Sequence, residues 1–298
     1  MTDMIKNRKI ENSSDELENV HISNQLGELV LLKKGTTNKN VVLVHGGTGE
    51  VNLFVNVAKY FDEKYSVYGI RKIADVSSVS PKVMNFKMFA ESYITLVEQL
   101  GNVDILGGWC IGGSIAYEMS LIRPDKFRYL LLINSESPMI DPPLFQGFTV
   151  QDEIQILQQY STIPLNAEEF SSIDAVWEKV VTICEYDDNL RLKLIESLPV
   201  EVIRILPPMK ELDARSTLYQ INNWRSAYEA RNHYAGRTRS GAHMVYLNAL
   251  EDPMDNYTHW EDFFETVQFI DIPGNHTSLF LDENVSIWAN IINKMISE

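Results

Sequence analysis

Apolar residues recur along the chain with two different periods. Short apolar runs at 28–33, 40–45, 66–70, 103–107 and 128–134 read as strands. Between them the spacing becomes helical. Leu53, Val57, Ala58 and Phe61 share one side of a helix over 52–62. Residues 86–100 form an amphipathic helix closed by Gly101, and 112–122 a helix stopped before Pro124. Strand–helix alternation implies parallel strands joined by right-handed crossovers. The runs VVLV and YLLLI are apolar on both faces, as central strands covered by helices on both sides must be.

The alternation then breaks. From about 138 to 240 the pattern is helical, clearest at 157–160, 176–185 and 190–195, with a bend at Pro207-Pro208. Strand character resumes at 243–249 and 267–272, and a last helix covers 285–296. The expectation is an α/β fold with a mostly parallel central sheet, helices on both faces, and a helical lid over about 138–240. Residues 1–24 are polar and read as a flexible N-terminal tail, leaving 25–298 as the folded domain.

Charge and cysteine usage narrow the partners. A net charge of −15 disfavours nucleic acid, whose phosphates are neutralised by Lys and Arg. No run approaches the roughly 18–20 apolar residues that span a bilayer, and the N-terminus lacks an apolar signal core. Cys110 and Cys184 lie far apart, with no disulfide framework and no metal-type spacing. A cytoplasmic protein is expected, with no metal and no membrane or nucleic-acid partner.

The segment Gly108-Trp109-Cys110-Ile111-Gly112 lies between a predicted strand and a predicted helix. It is a nucleophile elbow of the G-x-S-x-G type with cysteine at the centre. Glycines leave room where the sharp turn brings backbone close, and a helix N-terminus favours a thiolate. Of the six histidines, His276 in Ile272-Pro-Gly-Asn-His276 follows the last predicted strand. That places it on the elbow's rim and makes it the expected base. The loop His45-Gly46-Gly47-Thr48-Gly49 ends an early strand, with His45 read as structural. Oxyanion donors are expected from the backbone of Gly47 and Ile111. Two strand ends offer a residue to orient His276: Asn134 after the run at 128–134, or Asp252 after the run at 243–249. Asn134 is favoured, because an easily ionised thiol needs less help from a carboxylate.

With these residues the chain resembles the thioesterase domains of nonribosomal peptide and polyketide synthases, members of the α/β-hydrolase superfamily. The likeness runs from about Leu29 to Trp288. It rests on Val44-His-Gly-Gly47, Gly107-Gly-Trp-Cys-Ile-Gly-Gly113, Leu130-Leu-Leu-Ile-Asn134-Ser and Pro273-Gly-Asn-His276. Cys110 and Asn134 depart from the family's usual serine and aspartate. Cys110 is either a natural thiol nucleophile or a serine replaced to hold an acyl-enzyme. The resemblance implies no tightly bound cofactor. It also implies a substrate presented as a thioester on the phosphopantetheine arm of an acyl or peptidyl carrier protein. The expected reaction is release or transfer of that chain through a Cys110 acyl-enzyme, to water, an amine or an internal hydroxyl. Three other readings stay open: a stand-alone editing thioesterase, a small-ester hydrolase, and a non-catalytic binding protein. Cys184 and the aromatics Trp177, Tyr186, Tyr219, Trp224 and Tyr228 read mainly as packing within the helical stretch, with an acyl channel as the alternative.

Overall fold

The computed structural model describes residues 22–160, 165–206, 208–236, 238–252 and 259–297. Its strands are β1 (Ile22–Ser23), β2 (Gly27–Lys33), β3 (Lys39–Val44), β4 (Tyr65–Lys72), β5 (Asn102–Trp109), β6 (Phe127–Ile133), β7 (Ser240–Ala249) and β8 (Phe264–Ile272). They form one sheet in the order β1-β2-β4-β3-β5-β6-β7-β8. β2 runs antiparallel to β1 and β4, and every other neighbouring pair is parallel. The strand order reverses between β3 and β5, which opens a crevice at their carboxyl ends.

Alternation within the apolar strands sends neighbouring residues to opposite faces. Val42, Val44, Leu106 and Leu130 pack under α2 (Phe86–Val97) and α3 (Ile111–Ile122), against Phe89, Tyr93 and Ile115. Val41, Leu43, Ile105 and Leu131 pack on the other face under α1 (Phe54–Tyr60) and α9 (Asp282–Met295), against Phe54, Val57 and Trp288. This is the expected sheet covered on both faces.

Between β6 and β7 lie α4 (Val150–Gln158), α5 (Ile173–Tyr186), α6 (Asp188–Glu196), α7 (Val200–Ile205) and α8 (Ala214–Asn232). Their apolar sides gather into a separate core around Leu157, Trp177, Val180 and Leu218, which also takes in Cys184. A buried polar staple ties three of these helices together. Glu153 of α4 accepts two bonds from Arg225 of α8, both at 2.8 Å, and one from the Trp177 indole of α5 at 2.9 Å.

Some boundaries differ from the sequence reading. The helix expected over 52–62 is confined to α1, because Leu53 and Phe61 flank it as caps. The last helix begins three residues early, at Asp282, whose acidic first turn suits a helix N-terminus. The expected tail lies outside the described residues for 1–21. Its end is structured, since β1 pairs Ile22 with Leu29 and Ser23 with Glu28. Of the Pro207-Pro208 bend, Pro207 lies outside the described residues, and Pro208 caps a short 3₁₀ turn.

Candidate active site

β5 ends in a sharp turn that α3 continues. Cys110 sits at its tip with φ 56° and ψ −127°, a left-sided conformation unusual for a residue with a side chain. Glycine is required on both sides. A Cβ on Gly108 would lie 2.1 Å from the Gly112 carbonyl oxygen, and one on Gly112 would lie 2.4 Å from the carbonyls of Val44 and His45. The turn is locked further by Ser135, whose hydroxyl donates to the Cys110 carbonyl at 2.6 Å.

Burial pushes the Cys110 thiol above its ordinary pKa. The Arg231 guanidinium pulls against this, as do the nearby backbone N–H groups of Ile111 and Gly47, while Glu136 adds to it. The loop carrying Gly47 is held from within by His45. This buried ring faces the Gly46 carbonyl at 2.6 Å and the Tyr93 hydroxyl at 2.7 Å. Desolvation lowers the His45 pKa to about 4, so the ring is neutral and bridges the two. From α8, Asn223 donates to the carbonyls of Gly47 at 3.0 Å and Thr48 at 3.3 Å.

His276 follows β8 on a turn built by Gly274, at φ 93°, and by Asn275. The Asn275 side-chain oxygen accepts from Thr277 and Ser278, which fixes the backbone on either side of the histidine. Trp109 joins this turn to the elbow. Its indole donates to the His276 carbonyl at 3.0 Å, and the two rings lie 4.9 Å apart. Neither contact was evident from the motif, although the tryptophan belongs to it.

Asn134 and Asp252, set against each other by the sequence, both reach the imidazole. Asn134 follows β6 in a left-handed conformation, φ 41°, which asparagine tolerates. Its Nδ2 donates to Asp252 Oδ2 at 2.7 Å and lies 2.8 Å from His276 Nδ1. Asp252 Oδ2 is 3.8 Å from the same nitrogen. The amide's orientation follows from its neighbours, because turning it round would press its carbonyl oxygen against the Asp252 carboxylate. An amide N–H facing Nδ1 suits that nitrogen as an acceptor, with the proton on Nε2, whereas the Asp252 carboxylate suits the proton on Nδ1. Asn134, the residue favoured by the sequence to orient His276, thus lies against the ring, and Asp252, the alternative, stands behind it. Burial lowers the His276 pKa to about 4, with Asp252 opposing and Arg231 reinforcing the shift.

The sequence reading missed a second charged pair. Arg231 of α8 meets Glu136, two residues past Asn134, at 3.0 Å. The residues proposed for an acyl channel separate. Trp177 is core, Tyr186 is exposed, Trp224 stacks on Tyr228, and Tyr219 faces Lys72 across a cavity. Among the described residues no group of three His, Cys, Asp or Glu side chains is arranged to hold a metal, and no helix is long and apolar enough to cross a membrane.

Residues 39–283 match the alpha/beta hydrolase fold family. A pimeloyl-(acyl-carrier protein) methyl ester esterase of Pseudoalteromonas atlantica is 25% identical over 122 residues, 38% of this chain and 46% of that protein. Atromentin synthetase of Tapinella panuoides is 23% identical over 287 residues, 90% of this chain and 28% of that protein. The chain thus spans less than half the length of either curated relative. Among solved structures, a Vlm2 thioesterase domain bound with a dodecadepsipeptide superposes with a TM-score of 0.55 at 17% identity, over 89% of this chain and 96% of that one. At that identity the likeness carries the fold.

Proposed function

The chain belongs to the alpha/beta hydrolase fold family, and from that premise we propose that it is a thioesterase or acyltransferase working through a Cys110 acyl-enzyme. Its substrate is an acyl or peptidyl chain held as a thioester on the phosphopantetheine arm of a carrier protein. The observation that carries this reading is the convergence at one sheet rim. Cys110 sits on the elbow where the backbone N–H groups of Gly47 and Ile111 favour its thiolate, while Trp109 joins the same turn to His276. Support for the substrate class comes from the thioesterase domain that shares the fold and from the carrier-protein ester esterase among the relatives.

The reaction has two halves. His276 takes the Cys110 proton, and the thiolate attacks the thioester carbonyl. The oxyanion accepts from Gly47 and Ile111. Collapse expels the pantetheine thiolate, which takes the proton back from His276. In the second half His276 deprotonates water, an amine or a hydroxyl of the chain, which attacks the acyl-cysteine and restores the thiol. To accept at Nε2 the imidazole needs its proton on Nδ1. That nitrogen then becomes a donor facing Asn134, and the Asp252 carboxylate is the acceptor within reach. In this mechanism Asp252 supplies the counter-charge and Asn134 positions it.

A thioester acyl-enzyme retains more transfer potential than an oxyester, so the reading includes acceptors other than water. An editing thioesterase that only hydrolyses is the second reading, favoured by the acid following β7. Acyl-pantetheine thioesters incubated with and without amine acceptors, with products weighed by mass spectrometry, test both. The proposal expects release that Cys110→Ala and His276→Ala abolish, with amide formed when amine is supplied. Free acid alone under every condition selects the editing reading. Release that survives Cys110→Ala sinks both.

A further inference from the structure

Lys72, the last residue of β4, points its ammonium into a cavity of about 250 Å³ between α2, α8 and the loop after β4. The cation sits between aromatic faces, 5.9 Å from the ring centres of Phe89 and of Tyr219. It donates to the side-chain oxygen of Asn223. Among the described residues it forms no ion pair with a carboxylate. The acid that influences it, Asp75, already accepts from Ser77 and pairs with the exposed Lys82 at 3.5 Å. A mostly buried ammonium held by one neutral amide and two rings is incompletely compensated, and burial lowers its pKa to about 8. Leu26, Met84 and Met88 give the cavity an apolar wall, and Ser78, Ser80 and Ser226 a polar one. Asp75 and Lys82 also line it but pair with each other, which leaves Lys72 as the buried cation beside the apolar wall. That arrangement suits a ligand that is hydrocarbon along its length and anionic at its end.

Sheet register places this cavity relative to the nucleophile. Val44 of β3 pairs with Ile70 on one side and with Gly108 on the other. Lys72 and Cys110 are each two residues further on, so both lie at the carboxyl rim, on either side of the segment that continues from β3. At the ordinary strand spacing their backbones are roughly 10 Å apart. The link is also physical, since Asn223 contacts Lys72 and the Gly47 carbonyl, and the Lys72 N–H donates to the Gly49 carbonyl at 2.9 Å.

We propose that this cavity receives the far end of the acyl chain and that the end it selects is a carboxylate, with Lys72 as counter-ion. The inference rests on the acyl-enzyme reading above for the identity of the chain. Phosphate on the pantetheine arm has similar chemistry, but it is attached to a carrier that must stay outside, whereas this cation lies under α8 between apolar walls.

Thioesters of N-acetylcysteamine carry no phosphate and separate the two sources. Adipoyl and suberoyl thioesters would be compared with their ω-amides on the wild-type chain and on Lys72→Met. The proposal expects kcat/KM for the ω-carboxylates to exceed that of the ω-amides by about tenfold or more, and the ratio to fall to about one in the variant. Equal rates for carboxylate and amide on the wild-type chain, or a preference that persists in the variant, overturn it. A preference for coenzyme A over N-acetylcysteamine thioesters, indifferent to the acyl end and lost in the variant, assigns the cation to phosphate and also overturns it. Free adipate provides a readout that needs no turnover. It should raise the melting temperature of the wild-type chain where adipamide at equal ionic strength does not. A shift without turnover leaves the cavity standing and rejects the thioesterase reading, whereas turnover with no adipate shift rejects the cavity.

Discussion

Replacing Asp252 by asparagine removes one negative charge beside His276 and keeps the side chain's size. The carboxylate lies 3.8 Å from Nδ1, with side-chain exposures of 9% for Asp252 and 23% for the imidazole. Coulomb's law at an effective dielectric of about 20 gives roughly 4 kcal/mol for a charge pair at that separation. Solvent at the imidazole trims this to about 2–3 kcal/mol. The interaction exists only when the imidazole is charged, so its loss weighs on the thiolate–imidazolium pair and leaves the neutral pair alone. Thiolate population at Cys110 should fall roughly 30- to 150-fold. Alkylation by iodoacetamide across pH reads this directly, because only the thiolate reacts. Cys184, buried in the helical insertion with its pKa raised to about 11, serves as the slow internal reference. Asn134→Ala should have the smaller effect, because it removes a bridge and spares the charge. An Asp252→Asn chain alkylated at Cys110 as fast as the wild type would refute the assignment of the counter-charge.

Gly108→Ala should abolish acyl release and cost several kcal/mol, since the new Cβ meets the Gly112 carbonyl at 2.1 Å; retained activity with an unchanged urea midpoint contradicts the turn's geometry. Glu153→Ala strands the Arg225 guanidinium and the Trp177 indole, and should cost about 3–5 kcal/mol in denaturant unfolding; a loss under about 1 kcal/mol would show that the staple is not what holds the helices. Acid should destabilise the fold through His45. The unfolded ring titrates near 6.5 and the folded one near 4, so the stabilisation is complete above pH 6.5 and is lost as pH falls toward 4. At pH 5 the loss is about 2 kcal/mol, and His45→Asn should remove that part of the acid sensitivity. An identical pH dependence in the variant would place it elsewhere.

Local chemistry explains what was readable from the chain. A run such as VVLV declares a strand buried on both faces, and the glycines around Cys110 declare a turn too tight for any other residue. His276 stood out because a residue just past a strand's end lies on the rim. The relation of Asn134 to Asp252 was not readable. Each follows a strand end 118 residues from the other, and only the adjacency of β6 and β7 brings them within 2.7 Å. The sequence posed them as alternatives where the fold makes them partners. Lys72 gave no signal at all, since a lysine ending a strand ordinarily reaches solvent. Its burial depends on α8, which arrives from across the insertion. The Arg231–Glu136 pair stayed hidden for the same reason.

Catalysis through Cys110 requires a covalent bond to one sulfur. Intact-protein mass spectrometry after brief exposure to an acyl thioester, followed by peptide mapping, reads that bond. The acyl mass should appear once, on the peptide carrying Cys110, and disappear in Cys110→Ala and on treatment with neutral hydroxylamine. Turnover with no adduct at any time, or an adduct that maps to Cys184, would contradict it.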